Sequence, residues 1–288
     1  MPYLSEISQF VSCETFTEDR EITEITLSSF SHFHSLTWTK SKDNLEQVDN
    51  GVVICALKDY ESISRLINVS YLPVENPRLT FAKVVNNLFN NLLPNNFTNF
   101  VSDFKNRIDL KIGENVFIGK NVQIGEGTEI HHNAVIYSNT KIGKNCIINT
   151  NVSIATEGLG LEFDESTNLY VKFPQIGSVE ISDYVEIGPS STIRRSALGT
   201  TRIGRGSKLG ALCNIGHNCI IGENTLLTCN VILAGSSEIG NDVYLGIGAT
   251  VRNTIKIGNK ATIGQGAVVV KNVPENETWV GNPAKKIK

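Results

Sequence analysis

An aliphatic residue recurs every six positions through most of this 288-residue chain, and few folds accept such a pattern. The register runs without a slip from Ile112 through Ile118, Ile124, Ile130, Ile136, Ile142 and Ile148 to Ile154. It resumes at Ile181, Ile187 and Ile193. From Ile203 it continues in sixes through Leu209, Ile215, Ile221, Leu227, Leu233, Ile239, Leu245, Val251, Ile257 and Ile263 to Val269. Glycine often follows the aliphatic residue, and four residues after it comes a small or β-branched one, such as Val116, Thr128, Ala134, Ser207, Cys213, Thr225, Ala249 or Ala267. This is the hexapeptide signature of a parallel β-helix. Each short strand gives one large and one small side chain to the interior, three strands make a coil of about eighteen residues, and stacked coils bury a continuous aliphatic column. The steps predict roughly seven to eight coils. Cys146, Cys213 and Cys219 fall at the small inward position and are expected as packed core thiols.

The repeat is interrupted twice. "EGLGLEFDESTNLYVKFPQIGS", about 157–178, is a long insertion, and "RRSALGTTR", 194–202, lengthens one step by four residues. A regular solenoid gains nothing from such loops, which cost ordering entropy. Long loops on rigid scaffolds usually carry function, the alternative being a trimer contact or a neutral insertion.

Upstream of about residue 105 the texture is that of a small α/β segment. "GVVICALKDY" is a buried-strand candidate opened by Gly51. "NPRLTFAKVVNNLFNNLLP" predicts a helix that starts at Asn76-Pro77 and ends near Pro94, and "PNNFTNFVSDFKNR" a polar connector. The expected organisation is an N-terminal α/β domain over 1–105, a β-helix over 106–273 and a tail over 274–288. Glycine is frequent and aromatics are sparse, which suits a mainly β repeat. The net charge is −3 with no basic run, so nucleic acid is not an expected partner. "MPYLSEISQF" has no basic stretch followed by an apolar core, and no segment reaches about 18 uninterrupted apolar residues. The six cysteines show neither CxxC pairs nor a disulfide framework. A soluble cytoplasmic protein without signal peptide or membrane span is expected.

"IGHNC", residues 215–219, is one step of the repeat with His217 where neighbouring steps have Glu223 or Asn241. Histidine titrates near neutral pH and suits proton removal. One coil further on lies Gly235, which would leave room above the imidazole for a substrate, and another coil on lies Asn253. Glycine-rich turns can also aim N–H groups at a developing oxyanion. His131 and His132 sit in an earlier coil as expected turn residues, and His32 and His34 carry no motif.

The stretch from Lys172 to Gly240 resembles the core of the UDP-3-O-acylglucosamine N-acyltransferase family. The matching steps are Pro174–Gly177, Ile187–Leu198, Ile215–Asn218 and Ala234–Ser236. Upstream, "SLTWTKSKDNLEQ" and "VENPRLTFAKV" are similar to that family's uridine-binding domain. The resemblance implies a left-handed β-helix, a homotrimer with active sites between neighbouring helices, and acyl transfer from a pantetheine thioester to the amine of a nucleotide-linked amino sugar. It implies direct attack with His217 as general base, no tightly bound cofactor, no metal, and acyl-CoA or acyl carrier protein as co-substrate. Trp38, Ser41 and Asn44 fall where the family holds the uracil, and Asn218, Gly235 and Asn253 are expected to line the substrate groove.

Departures narrow the expectation. Arg194 replaces the aspartate of the family's I-D-R-G step, Gly210-Ala211 an aspartate-asparagine pair, and Thr254 a second functional histidine. Trp38 can still stack on a base, but Ser41 and Asn44 replace an asparagine and a tyrosine. The ending "VVVKNVPENETWVGNPAKKIK" is similar to sugar and serine acetyltransferases, so Lys271, Lys285 and Lys286 are expected to meet coenzyme A phosphates. These differences favour a dTDP- or UDP-linked amino-deoxyhexose with acyl-CoA as donor. The alternative is the lipid A enzyme proper, using acyl carrier protein. A γ-type carbonic anhydrase needs three zinc-binding histidines in a constellation this chain lacks. A non-catalytic β-helix would need a flat repetitive face, against which the two insertions and His217 argue.

Overall fold

The computed structural model describes residues 1–13, 19–63, 66–94, 98–104 and 106–288. The expected boundary residue 105 and part of the expected connector (95–97) lie outside the described residues. The chain forms two compact units, one of Met1–Leu93 with Leu159–Ile176, the other of Pro94–Gly158 with Gly177–Lys288.

The first unit is built on four parallel strands in sequential order: β1 (Glu24–Ile25), β2 (Ser35–Trp38), β3 (Gly51–Ala56) and β4 (Val69–Val74). Its helices are α1 (Leu4–Val11), α2 (Lys42–Leu45), α3 (Leu57–Tyr60) and α4 (Pro77–Leu88). β3 is buried along its whole length, as its apolar run predicts. Gly51 opens it at φ +90°, where any Cβ would meet the His32 carbonyl at 2.5 Å. α4 starts as expected, with Asn76 Oδ1 accepting the Leu79 N–H at 3.1 Å and Pro77 in the first turn. It ends at Leu88, well before Pro94. Asn86, Asn87, Asn90 and Asn91 are weak helix formers, and Phe89 already leaves the helical region at φ −116°.

The long insertion belongs to this first unit, not to the solenoid that it interrupts. It is an antiparallel hairpin, Leu161–Asp164 against Leu169–Lys172. Arg78 of α4 pairs with Glu162, Lys83 with Asp164 at 2.6 Å, and Asn86 Nδ2 donates to the Lys172 carbonyl at 2.8 Å. Beyond the hairpin, Phe173 stacks on Phe81 at 5.7 Å. The Lys83 ammonium, then the Ser166 hydroxyl, hold the Asp164 carboxyl down to about 2. A carboxylate lowered from 3.8 adds stability above that value, and the contribution is lost as pH falls through about 2. Asp164→Asn is therefore expected to loosen the hairpin at neutral pH and to flatten the loss of stability on the acid side. Urea midpoints measured from neutral pH down to about pH 2, with a fluorophore on the hairpin, check this.

The second unit is the solenoid. Three parallel sheets stack its strands. The first sheet starts at Lys111–Ile112, the second runs from Phe117–Ile118 to Val268–Val269, and the third runs from Gln123–Ile124 to Lys256–Ile257. The second sheet has eight strands, one per coil, so the stack is eight coils high. Rungs pair in register: Ile193 faces Ile215, which faces Leu233, which faces Val251. The aliphatic residues and the small partners merge into one buried column, with Ile112 and Val122 in the first coil part-exposed.

Two features explain the remaining sequence texture. Asparagine fills many turns because the fourth turn residue is left-handed; Asn133, Asn145, Asn218, Asn224 and Asn230 all have φ between +51° and +60°. Buried hydroxyls satisfy turn carbonyls: Thr128 Oγ1 donates to Gly143 O (2.9 Å), Ser207 Oγ to Gly222 O (2.7 Å) and Thr225 Oγ1 to Gly240 O (2.8 Å).

Both ends of the solenoid are closed, which protects its edges. The expected polar connector forms a cap: Val101 and Phe104 pack on the core, and Asn99 Oδ1 accepts the Ile118 N–H at 3.0 Å. Residues 274–288, expected as a separate tail, extend the first sheet. Thr278–Val280 pairs with Thr262–Ile263 and Lys285–Lys286 folds back antiparallel, with Trp279 packed on the core.

Candidate functional site

The corner that joins the second sheet to the third carries the unusual residues. Both interruptions leave from it: residues 157–177 separate Ser153–Thr156 from Ser178–Ile181, and 195–199 separate Thr192–Arg194 from Thr200–Ile203. The strand register then stacks His217, Gly235, Asn253 and Lys271 as equivalent residues of successive coils. Main-chain bonds confirm the stacking, Ser236 N–H to His217 O (2.8 Å) and Thr254 N–H to Gly235 O (3.1 Å).

His217 is half-buried, and its Nδ1 lies 2.9 Å from Asn218 Oδ1. The tautomer follows from what else holds Asn218. Its Oδ1 also accepts the Ala197 N–H (3.2 Å), and its Nδ2 donates to the Leu198 carbonyl (3.0 Å). The amide can satisfy both only with oxygen toward the histidine. Nδ1 must then carry the proton, and Nε2 keeps its lone pair. Nε2 makes no hydrogen bond among the described residues. The Asn218 main chain is fixed too, by donation to Thr201 Oγ1 at 3.0 Å. Asn218, expected to line the substrate groove, uses its amide oxygen to hold His217 and one of its two amide N–H groups to hold the Leu198 carbonyl.

Gly235 also differs from expectation. The space above it is filled by the imidazole itself: a Cβ at 235 would lie 2.6 Å from both Cε1 and Nε2. The glycine lets the ring rest against the next coil's backbone, rather than leaving a vacancy for substrate.

It has a second effect. In several other coils the third turn residue caps the N–H of its equivalent one coil earlier. His132 Nδ1 accepts from Glu114 (2.9 Å), Asp183 from Lys144 (2.7 Å), Asn241 from Glu223 (2.8 Å) and Asn259 from Asn241 (2.8 Å). Gly235 has no side chain to cap His217, and no side chain caps Gly235. Among the described residues the N–H groups of His217 and Gly235 have no acceptor. An imidazole nitrogen without a hydrogen bond and two open main-chain donors therefore share one surface corner.

The other expected residues distribute as follows. Asn253 and Lys271 are exposed in the same column. Lys285 and Lys286 are not with Lys271: they lie on the first sheet, and Lys286 pairs with Glu277 at 2.7 Å. In the first unit, Trp38 is half-buried, 6.0 Å from Phe81 and 5.6 Å from Phe173, with Lys40 over its ring at 5.8 Å. Ser41 and Asn44 are exposed at the start of α2. His131 and His132 occupy the corner between the first and second sheets, a different column from His217. His132 caps Glu114, His131 is 3.8 Å from Glu129, and His32 pairs with Glu24 at 2.8 Å. Among the described residues no group of three His, Cys, Asp or Glu is placed to hold a metal ion. Cys219 is fully buried, and burial pushes its thiol up to about 11, which removes it as a nucleophile. Ala197, Leu198 and Thr201 were missed; the one signal for them was the lengthened step at 194–202.

Residues 109–140 and 121–156 match the bacterial transferase hexapeptide family, and residues 238–271 match the hexapeptide repeat of succinyl-transferase. The molecule is a hexapeptide-repeat protein of the left-handed parallel β-helix class.

Within that class it is similar to UDP-3-O-acylglucosamine N-acyltransferase of Caulobacter sp. (strain K31), 32% identical over 118 residues, 41% of this chain and 35% of the relative. UDP-3-O-acylglucosamine N-acyltransferase 2 of Rhodopseudomonas palustris (strain BisB18) is 39% identical over 132 residues, 46% of this chain and 35% of the relative. The chain spans about a third of the length of these curated relatives. Among solved structures, LpxA from Acinetobacter baumannii is similar with a TM-score of 0.57 and 28% identity, covering 62% of this chain and 67% of that one. No helix among the described residues is long and apolar enough to cross a membrane.

Proposed function

We propose that this chain is an N-acyltransferase that moves an acyl group from a pantetheine thioester to the amine of UDP-3-O-acylglucosamine. The observation that carries the reading is the Asn218 amide, whose two main-chain partners leave His217 Nε2 as a lone-pair base beside two open N–H donors. The relatives' names favour this acceptor over the amino-deoxyhexose to which the sequence departures pointed.

The chemistry follows from the groups present. The amine nitrogen attacks the thioester carbonyl while Nε2 takes its proton. The carbonyl oxygen becomes an oxyanion, for which the Gly235 and His217 N–H groups are open donors. Collapse breaks the C–S bond, and the imidazolium returns the proton to the departing thiolate. The enzyme forms no covalent intermediate, in keeping with the burial of Cys219. Asn253 and Lys271 continue the column and would face the rest of the substrates, while Trp38 would serve as the base platform. Cys55, Cys146, Cys213, Cys219 and Cys229 form no disulfide, which fits a cytoplasmic protein.

A homotrimer goes with this reading. The residues that precede the inward rungs of the second sheet are Phe117, Val135, Ser153, Thr192, Asn214, Ile232, Thr250 and Val268, with no charge among them, and Arg194 is the one charged residue in that sheet's strands. The third sheet instead carries ion pairs, Lys141–Glu180 at 3.2 Å and Lys256–Glu238 at 2.9 Å. A face with so little charge beside charged ones is suited to association. Ile232, 40% exposed, sits on that face. Ile232→Glu is expected to convert trimers to monomers in light scattering; a mutant that stays trimeric would put the interface elsewhere.

A second reading, transfer to a dTDP- or UDP-linked amino-deoxyhexose, is favoured by Ser41 and Asn44 in place of the family's polar base readers. Turnover across a panel of these acceptors, each with acyl-CoA and with acyl carrier protein as donor, separates the two. The proposal expects the highest kcat/KM with UDP-3-O-acylglucosamine. Preference for an amino-deoxyhexose would select the second reading, and transfer to no nucleotide sugar would remove both.

A further inference from the structure

Arg195 is the largest fully buried side chain among the described residues. Its Nε donates to the Ala155 carbonyl (2.9 Å), and Nη2 to the Ser138 carbonyl (3.2 Å) and hydroxyl (3.5 Å). Among the described residues Nη1 has no partner, and no carboxylate pairs with the guanidinium. Burial lowers its pKa to about 10. A residue that merely filled this space would be apolar, because a buried cation with an unmet donor costs stability. Departures of that kind are expected where a position serves the site rather than the fold.

The connections of Arg195 say what it serves. Its side chain reaches two coils back, to Ser138, and one coil back, to Ala155. Its main-chain N–H donates to the Thr156 carbonyl at 2.9 Å. The loop that begins there is closed by Ser196 and Thr201, whose hydroxyls lie 3.3 Å apart. Its Ala197 N–H and Leu198 carbonyl are the two groups that orient the Asn218 amide. The chain of contacts runs from the preceding coils through Arg195 to the loop, from the loop to Asn218, and from Asn218 to His217.

We infer that Arg195 is a positioning residue: by clamping the 194–202 loop it holds the Asn218 amide in one orientation and so keeps the proton of His217 on Nδ1. The inference rests on the reading of His217 as the base. If the loop drifts, the Asn218 amide is free to turn over and present Nδ2 to the imidazole. Nδ1 would then accept, the proton would move to Nε2, and the base would be lost without any change at His217.

The test reads the tautomer directly. Long-range ¹H–¹⁵N spectra of histidine-labelled protein, recorded without substrate, are expected to show His217 protonated on Nδ1 in the wild type. Arg195→Met should shift it to Nε2–H or a mixture, and lower kcat by about 10²-fold with KM nearly unchanged. Arg195→Lys, which keeps the charge and one donor, should recover part of both. A wild-type His217 protonated on Nε2 would overturn the inference. So would a folded Arg195→Met that keeps the Nδ1–H tautomer and wild-type kcat. Should Arg195→Met fail to fold, Arg195→Lys decides: a mixed tautomer supports the clamp, and a wild-type tautomer with only a lower melting point overturns it. The spectrum needs no turnover, so an Nδ1–H wild type without acyl transfer would sink the acyltransferase reading and leave the clamp standing.

Discussion

His217→Ala is expected to lower kcat for acyl transfer by about 10²–10⁴-fold, the range a general base supplies. KM should change little, because on the proposed reading the imidazole acts on a proton rather than holding either substrate. Stability should change by about 1 kcal/mol or less, since the side chain is half-buried and spends one hydrogen bond on Asn218. That bond is dispensable to Asn218, which stays held by Ala197, Leu198 and Thr201. Steady-state kinetics and a thermal melt on the same preparation check both parts. A loss of turnover that only tracked a fall in melting temperature would assign His217 to the scaffold.

Gly235→Ala should be nearly as damaging, for a different reason. The φ of Gly235 lies outside the left-handed region, so the backbone accepts an L-residue there. The obstacle is the imidazole, 2.6 Å from the new Cβ at two of its atoms. A side chain can leave by changing rotamer, so the fold survives and the base is displaced. A shift of about 1 Å at a catalytic group costs on the order of 10²-fold, and a full rotamer change more. Gly188 is the control: a Cβ there meets the main-chain carbon of Gly210 at 2.4 Å, and a main chain cannot step aside. Gly188→Ala should therefore destabilise the solenoid, whereas Gly235→Ala should inactivate it. Combining Gly235→Ala with His217→Ala should cost no more activity than His217→Ala alone, because the first change acts through the second residue.

These contrasts show what the chain made legible. Six-residue spacing of isoleucine and leucine sufficed for the solenoid, since the same local rule repeats and each coil needs only its neighbours. His217 was legible because it stands where neighbouring steps carry Glu223 or Asn241 and lies in the step that resembles the acyltransferase family's. The long insertion was legible as a break but not as a structure. Its partners, Arg78 and Lys83, lie some 80 residues upstream, and Arg78 is separated from Glu162 by 84. The role of Asn218 was hidden for a related reason. Its backbone does what Asn224 and Asn230 do, and only the loop at 194–202 gives its amide a second use. Gly235 was placed correctly by counting one coil, but counting could not say that the imidazole would occupy the gap. Lys285 and Lys286 were grouped with Lys271 by proximity in sequence, and the fold-back onto the first sheet separates them.

The most direct measurement of the whole account is the stoichiometry of a single reaction. Wild-type protein is mixed with an acyl thioester and UDP-3-O-acylglucosamine, free thiol is followed with a chromogenic reagent, and the nucleotide sugar is weighed by mass spectrometry. The account predicts one thiol released for each sugar that gains an acyl group as an amide, and neither event with His217→Ala. Thiol release without sugar acylation, or acylation that persists undiminished in His217→Ala, would contradict it.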